Sequence, residues 1–162
     1  VDGIWPAAVH DFGKTISDAE VYATNTIVLV SPSGYVMTWD GSSSQTSSVL
    51  KSNSTALEFT SVAKVAMTND SYSAIVAGTE NLGLVTLELG SGAGSATASL
   101  LSSKAGNYYS SNRFGQAKIT SIAGGTGNEP LMVSTVEQSL WSAFYDASPA
   151  YPNEAGLFWT HE

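Results

Sequence analysis

Short apolar runs that end at turn residues define the pattern of this chain. The run Thr26–Val30 is followed by the turn sequence Ser31-Pro32-Ser33-Gly34, and residues 35–39 form a second run that ends at Asp40-Gly41. Proline presets the backbone of a turn, and glycine supplies the positive φ that several turn types require. The pattern therefore predicts a β-hairpin over residues 26–39.

Two more hairpins follow the same plan, and each is preceded by one further apolar run. Valine, isoleucine and threonine are frequent in these runs and favour pleated strands. The strands are predicted at residues 62–67, 74–77 and 84–89 for one unit, and at residues 119–123, 131–134 and 140–145 for the next.

Helices have little support in this sequence. One- or two-turn helices are compatible only with residues 17–20 and 95–103. The second of these lies in a segment rich in glycine, alanine and serine, residues 90–103. Because glycine and serine are weak helix formers, we interpret residues 90–103 as a flexible connection.

The three hairpins match one another at regular intervals along the chain. Ile27 of the first hairpin matches Ile75 of the second, and Ile75 matches Met132 of the third. The interval from Ile75 to Met132 also matches Glu80 with Glu137. A period of roughly 50 residues with three or four strands per unit is typical of β-propeller blades.

Residues 21–145 resemble the central strands of β-propeller blades. The resemblance is carried by the hairpin from Ser31-Pro32-Ser33-Gly34-Tyr35 to Trp39-Asp40 and by its counterpart at residues 74–89. Trp39-Asp40 is a lone counterpart of the WD-type signature, and the Ser-x-Asp-x-Gly-x-x-Trp box of sialidase-like propellers is absent. In composition the chain is similar to the short-blade propeller lectins. That similarity implies sugar binding without catalysis.

Three units are fewer than the four or more blades that close a propeller. We therefore predict an all-β fold of three blade-like antiparallel units, which form a partial propeller or close one as an oligomer. A β-sandwich or jelly roll built from the same strands is the alternative. We expect an N-terminal arm at residues 1–20, a repeat-containing β domain at residues 21–146, and a C-terminal segment at residues 147–162 that packs on the domain.

The polar surface is made of serine, threonine, asparagine and glycine more than of charged residues. Of the 162 residues, 43% are hydrophobic and 12% are charged, with a net charge of −8 at pH 7. This acidic balance argues against a nucleic-acid partner, because phosphate contacts need lysine and arginine. Apolar runs stay far below the roughly 20 residues of a membrane span, so none is predicted. We predict an extracellular, secreted or virion-surface protein.

Residues suited to catalysis are sparse. Cysteine is absent, and the two histidines, His10 and His161, lack the spacing of a metal-binding pair. The sequence contains no Gly-x-Ser-x-Gly elbow. Gly124-Gly125-Thr126-Gly127 precedes no convincing helix and is predicted to be a turn. We therefore predict no metal, no cofactor and no enzymatic activity.

Aromatic residues are the stronger candidates, with 4 Trp and 7 Tyr in a chain that carries few charges. The C–H face of a pyranose stacks on an indole ring, while nearby polar side chains bind its hydroxyl groups. The alternative is that the strand tryptophans belong to the core and the turn glutamates are solvated. The candidate ligand-binding residues are two strand tryptophans, two turn glutamates and four residues of the loop 107–114: Trp39, Trp141, Glu80, Glu137, Tyr108, Tyr109, Asn112 and Arg113.

These observations predict a lectin-like carbohydrate-binding module that acts as an oligomer. The predicted partners are glycans or other copies of the chain, as a homo-oligomer or as part of a larger assembly. The alternative is a structural or assembly protein, such as a virion decoration or fibre component or a scaffold segment of a larger propeller. Exposed aromatic side chains beside polar groups favour the lectin, whereas full burial favours the structural role.

Overall fold

All the regular elements in the described part of the chain are β-strands. The computed structural model describes residues 10–67, 72–90, 96–100, 117–137, 139–146 and 156–161. The strands are β1 (Asp18–Ala23), β2 (Thr26–Val30), β3 (Val36–Trp39), β4 (Ser44–Thr46), β5 (Lys51–Ser52), β6 (Thr55–Ala56), β7 (Phe59–Met67), β8 (Tyr72–Thr79), β9 (Leu84–Glu88), β10 (Thr97–Leu100), β11 (Ile119–Gly124), β12 (Thr126–Gly127), β13 (Leu131–Thr135), β14 (Leu140–Asp146) and β15 (Gly156–His161).

The strands form three antiparallel meanders that follow one another in chain order. Sheet 1 has the order β1-β2-β3-β4, sheet 2 contains β10-β9-β8-β7, and sheet 3 has the order β11-β13-β14-β15. β12 adds a parallel edge to β7, while β5 and β6 form a separate small hairpin. The all-β class and the three predicted hairpins are confirmed, as the β2–β3, β8–β9 and β13–β14 pairs. Among the described strands, the sheets close into neither a barrel nor a ring.

One local prediction is wrong, and one segment that was compatible with a short helix forms none. Residues 17–20 do not form a helix, because Ser17 Oγ donates a hydrogen bond to the carbonyl of Phe59 and Asp18 Oδ2 accepts one from the N–H of Val62, at 2.6 and 2.9 Å. Residues 97–100, predicted to be part of a flexible connection, form β10 and pair with β9. In both places, pairing with a neighbouring strand outweighs the local preference of the sequence.

Sheet 2 lies between the other two sheets and is apolar on both faces. Successive side chains of a strand point to opposite faces, so Ile75 and Ala77 of β8 face sheet 1 while Val76 faces sheet 3. The core between sheets 1 and 2 contains Val28, Val30, Val36, Leu57, Phe59, Val62, Ile75, Ala77, Val85 and Leu87. The core between sheets 2 and 3 contains Ala63, Val65, Met67, Val76, Leu84, Ile119, Ile122, Leu131, Val133 and Ala143.

The turns between the second and third strands of the three sheets close with the same backbone hydrogen bond. The donor N–H and acceptor carbonyl are Ser31 and Tyr35 (3.0 Å) in sheet 1, Thr79 and Gly83 (2.9 Å) in sheet 2, and Thr135 and Ser139 (3.0 Å) in sheet 3. The three turns therefore give a structural alignment of the sheets. The interval between the first two donors equals the interval between Ile27 and Ile75, so the turn geometry agrees with that match in the sequence.

The second match made from the sequence, Ile75 with Met132, is wrong by one residue. When the turns of sheets 2 and 3 are aligned, Ile75 corresponds to Leu131, and their cross-strand partners Leu87 and Ala143 correspond as well. Met132 lies on the other face of sheet 3, since a shift of one residue along a strand moves a side chain to the opposite face. The hydrogen bonds of the turns, more than residue identity, define the correspondence.

Gly78 of β8 allows sheets 2 and 3 to approach closely. A Cβ atom at this position would lie 2.5 Å from Ile119 Cγ2 and 2.6 Å from Ser61 Oγ. We expect Gly78→Ala to lower the free energy of unfolding by about 1–3 kcal/mol, the usual cost of overpacking a core, in urea titrations. The matched control is Ser73→Ala, at an exposed position of the same strand, with an expected change within about 0.5 kcal/mol. Equal effects of the two variants would contradict this packing.

Candidate functional site

A partly exposed groove lies on the outer face of sheet 1, the face turned away from sheet 2. Val21, Ile27 and Trp39 form a row along it, because strand pairing sets Val21 opposite Ile27 and Ile27 opposite Trp39. Val21 is 60% exposed and Trp39 is half-buried. The groove has a volume of about 310 Å³, at the small end of the range for ligand pockets. We call it the Trp39 groove.

Uncharged polar groups surround this apolar row. Thr24 and Asn25 of the β1–β2 turn and Thr26 at the start of β2 line the groove. Their hydroxyl and amide groups donate and accept hydrogen bonds. The groove therefore combines an aromatic surface with neutral hydrogen-bonding groups.

The segment that precedes β1 covers one side of the indole. The ring of His10 stacks on Trp39 with ring centroids 5.9 Å apart and an interplanar angle of 25°. His10 Nε2 lies 3.0 Å from Ser44 Oγ, and Phe12 packs edge-on against the imidazole at 4.6 Å. These contacts fix the orientation of Trp39 beside the groove.

Asp40, which also lines the Trp39 groove, organises the β3–β4 turn. Its Oδ1 accepts hydrogen bonds from the N–H groups of Ser43 and Ser42 at 2.7 and 2.9 Å and from the Ser42 hydroxyl at 2.9 Å. Its Oδ2 accepts one from the Ser43 hydroxyl at 2.9 Å. The backbone N–H groups of Ser43 and Ser42, followed by the two hydroxyls, hold the pKa of the Asp40 carboxyl well below its usual range.

The described candidate residues lie at opposite ends of the strands. We call the end of the sheets at which β1, β7 and β11 begin the entry edge, and the opposite end the far edge. Glu80 and Glu137 lie in turns at the entry edge, where Glu80 forms an ion pair with Lys118. Trp141 lies near the same edge, at the start of β14, whereas Trp39 lies at the far edge, at the end of β3. These residues therefore do not form one site.

Glu80 and Glu137 are also not equivalent to each other. The turn hydrogen bonds match Glu80 with Val136, the residue before Glu137. Trp141 is partly buried and packs against the core between sheets 2 and 3. The four remaining candidates, Tyr108, Tyr109, Asn112 and Arg113, lie outside the described residues.

Sequence reasoning missed the residues that surround Trp39. Thr24-Asn25 between two apolar runs is a turn signal, and it could have indicated that Val21 lies opposite Ile27. The contact of His10 with Trp39 has no comparable signal, since it depends on how the N-terminal segment crosses the sheet.

Comparisons with known proteins leave the site to be interpreted from its own geometry. No protein-family model matches this chain, and no curated protein matches it. Within the described ranges, no group of three or more histidine, aspartate or glutamate residues is placed to hold a metal ion. The same ranges contain no helix of the length and hydropathy that a membrane span requires.

The depressed pKa of Asp40 gives a pH-dependent contribution to stability. An ordinary aspartate in an unfolded chain has a pKa of about 3.9. Ionised Asp40 therefore stabilises the fold above about pH 4, and this contribution is lost as the pH falls through the lower pKa of the folded state. We expect Asp40→Asn to lower the thermal unfolding midpoint at neutral pH, and we expect the difference from the parent protein to shrink below about pH 4, in melts followed by circular dichroism.

Asp11→Asn is the matched control for this variant. Asp11 accepts one backbone hydrogen bond, from Gly13 at 2.7 Å, where Asp40 accepts four hydrogen bonds. Asp11→Asn should change the midpoint less at neutral pH. An Asp40→Asn effect that is the same at every pH would rule out the carboxylate as its cause.

Proposed function

We propose that the three sheets are consecutive blades of a β-propeller. Each sheet contains a four-stranded meander in chain order, the sheets stack face to face, and one turn hydrogen bond recurs at the corresponding place in all three. Two sheets share a single core in a sandwich, whereas sheet 2 contributes to two cores. Because three blades do not close a ring, closure requires other copies of the chain or further blades.

We infer that the protein is a non-enzymatic carbohydrate-binding module and that the Trp39 groove is its binding site. The observation that carries this inference is the partly exposed indole of Trp39 beside the neutral side chains of Thr24, Asn25 and Thr26. A pyranose presents an apolar C–H face to an aromatic ring and hydroxyl groups to hydrogen-bonding partners. A volume of about 310 Å³ suits a single sugar residue more than a large ligand.

The charges of the groove favour binding over hydrolysis. Glycoside hydrolysis uses one carboxyl group as a proton donor and a second carboxylate as a base or nucleophile. The pKa of Asp40 is lowered, which is the wrong direction for a general acid at neutral pH. Both oxygens of Asp40 are also engaged by Ser42 and Ser43. The groups that remain for a ligand are the indole, the hydroxyls and the amide.

Assembly is the second candidate function. The contact of His10 with Trp39 favours a structural role, because part of the indole surface is used for packing within the chain. Val21 on the outer face of sheet 1 and Val136 at the entry edge remain 60% and 52% exposed. Exposed apolar side chains of this kind are buried when subunits associate.

The mass in solution tests the oligomer. A single chain has a mass of 16.8 kDa. Light scattering coupled to gel filtration should give two or more times that mass, because closing a propeller needs more than three blades. A clean monomer across a wide range of protein concentration would contradict the oligomeric ring and would leave binding by the single chain to be tested alone.

Trp39→Ala tests the sugar site. Methyl glycosides of glucose, galactose, mannose and N-acetylglucosamine serve as probes, with the indole N–H signal of Trp39 in NMR spectra as the readout for the parent protein and backbone amide shifts for the variants. The glycoside that binds should lose about tenfold in affinity with Trp39→Ala, because aromatic contacts contribute about 0.5–1.5 kcal/mol beyond burial and about 1.4 kcal/mol is a factor of ten. Trp39→Phe should lose less.

The control is Val136→Thr, a substitution of similar shape at the entry edge. It should leave glycoside affinity unchanged. Unaltered binding by a folded Trp39→Ala variant would remove the groove from the proposal, as would a failure of all four glycosides to shift the indole signal.

A further inference from the structure

A second groove lies at the same edge as the Trp39 groove, where sheets 1 and 2 meet. Strand pairing sets Lys64, Ile75 and Leu87 in a row across β7, β8 and β9. Tyr22 of β1 forms the wall on the side of sheet 1, and Ser73 lies at the rim. The volume is about 270 Å³. We call it the Lys64 groove.

The two grooves are the same feature of two successive sheets. The alignment that relates the turns of sheets 1 and 2 also relates six lining residues of one groove to six of the other. In chain order, Asn25, Thr26, Ile27, Trp39, Asp40 and Gly41 correspond to Ser73, Ala74, Ile75, Leu87, Glu88 and Leu89. Strand pairing adds a seventh correspondence, because Val21 lies opposite Ile27 as Lys64 lies opposite Ile75.

The chemistry of the two grooves differs at this seventh position, where Lys64 replaces the exposed Val21. Lys64 Nζ donates a hydrogen bond to the carbonyl of Tyr22 at 2.8 Å and lies 5.9 Å from the centroid of the Tyr22 ring. An ammonium group has three N–H donors, and this contact uses one of them. The Tyr22 contacts therefore anchor a cation next to an aromatic ring that is 40% exposed.

Two carboxylates lie near this cation. Glu88 belongs to the lining of the groove, and the alternation along β9 directs its side chain to the face opposite Leu87. Glu20 lies opposite Val28, on the face of sheet 1 that is turned toward sheet 2, and its Oε1 accepts a hydrogen bond from the N–H of Val21 at 3.0 Å. The net charge of −8 acts weakly at this point, because charges beyond about 8 Å are largely screened at physiological ionic strength.

We propose that the Lys64 groove binds a carboxylate-bearing sugar of the uronic acid class. The carboxylate contacts the Lys64 ammonium, the ring lies against Tyr22 over Ile75 and Leu87, and a hydroxyl group reaches Ser73. The inference rests on the proposed carbohydrate function and gives it a substrate class, an acidic glycan. The Trp39 groove, which carries the Asp40 carboxylate in its lining, and the Lys64 groove lie on the two sides of β1, at one edge of the sheets.

Glucuronate and glucose are the matched probes, because they share one ring and differ by a carboxylate in place of a hydroxymethyl group. Each is titrated into the full ¹⁵N-labelled chain, and the amide shifts of Lys64, Ser73 and Leu87 are followed. Glucuronate should give saturable shifts at these amides, and glucose should bind at least about threefold more weakly. Equal binding of the two sugars, or no shift with glucuronate, overturns the proposal.

Lys64→Gln and Lys64→Arg separate charge from shape. Lys64→Gln should abolish the preference for glucuronate, and Lys64→Arg should keep it. Salt provides a measurement that needs no variant. Raising the ionic strength from about 0.01 M to about 1 M shortens the Debye length from about 30 Å to about 3 Å and should weaken glucuronate binding but not glucose binding. A salt-independent preference contradicts the role of the cation.

Trp39→Ala distinguishes this proposal from the one on which it rests. The substitution should leave the glucuronate shifts at Lys64, Ser73 and Leu87 unchanged, because the two grooves lie on opposite faces of sheet 1. If methyl glycosides fail at the Trp39 groove while glucuronate still shifts the Lys64 groove, the Trp39 site fails and the Lys64 site stands. Loss of the glucuronate shifts in Trp39→Ala would refute an independent second site.

Discussion

The apolar character of both faces of sheet 2 is the constraint from which the remaining architecture follows. β8 places Ile75 and Ala77 on one face and Val76 on the other, and all three side chains are almost fully buried. Each apolar face must be covered, at a gain of about 25 cal/mol for every Å² of apolar surface removed from water. Sheets 1 and 3 cover them, and Gly78 allows sheet 3 to approach. The result is a stack of three sheets, whereas a two-sheet sandwich would leave one of these faces exposed.

The same constraint explains which features could be predicted from the sequence. The three hairpins were predictable, because turn residues such as Pro32 and Gly34 act locally. β10 was not, because it lies in a segment rich in glycine and alanine, which are depleted in strands, and it forms by pairing with β9. The match of Ile75 with Met132 failed for a related reason. When both faces of a sheet are buried, apolar residues on neighbouring positions still match after a shift of one residue, and alternation no longer identifies the face.

For the candidate site, the sequence identified residue types better than positions. Trp39 was singled out because an indole ring in the returning strand of a hairpin can stack on a sugar, and it does line a groove. Glu80 was singled out by a match in sequence, but its carboxylate forms an ion pair with Lys118. His10 and Asn25 were absent from the predicted set because their relation to Trp39 depends on strand register and on the path of the N-terminal segment. Such relations arise only when the chain is folded.

The third sheet shows why a groove is not found at every corresponding position. Leu131 and Ala143 of sheet 3 correspond to Ile27 and Trp39 of sheet 1, yet both are fully buried. The backbone closes that position, because the Ala66 N–H donates to the Gly125 carbonyl at 2.7 Å and β12 pairs with β7 beside it. In sheet 3, the segment that follows the first strand therefore fills the position that stays open in sheets 1 and 2. Where the position stays open, the two grooves carry an acidic residue at the same place, Asp40 and Glu88, and they differ in one residue of the first strand, which is Val21 in sheet 1 and Lys64 in sheet 2.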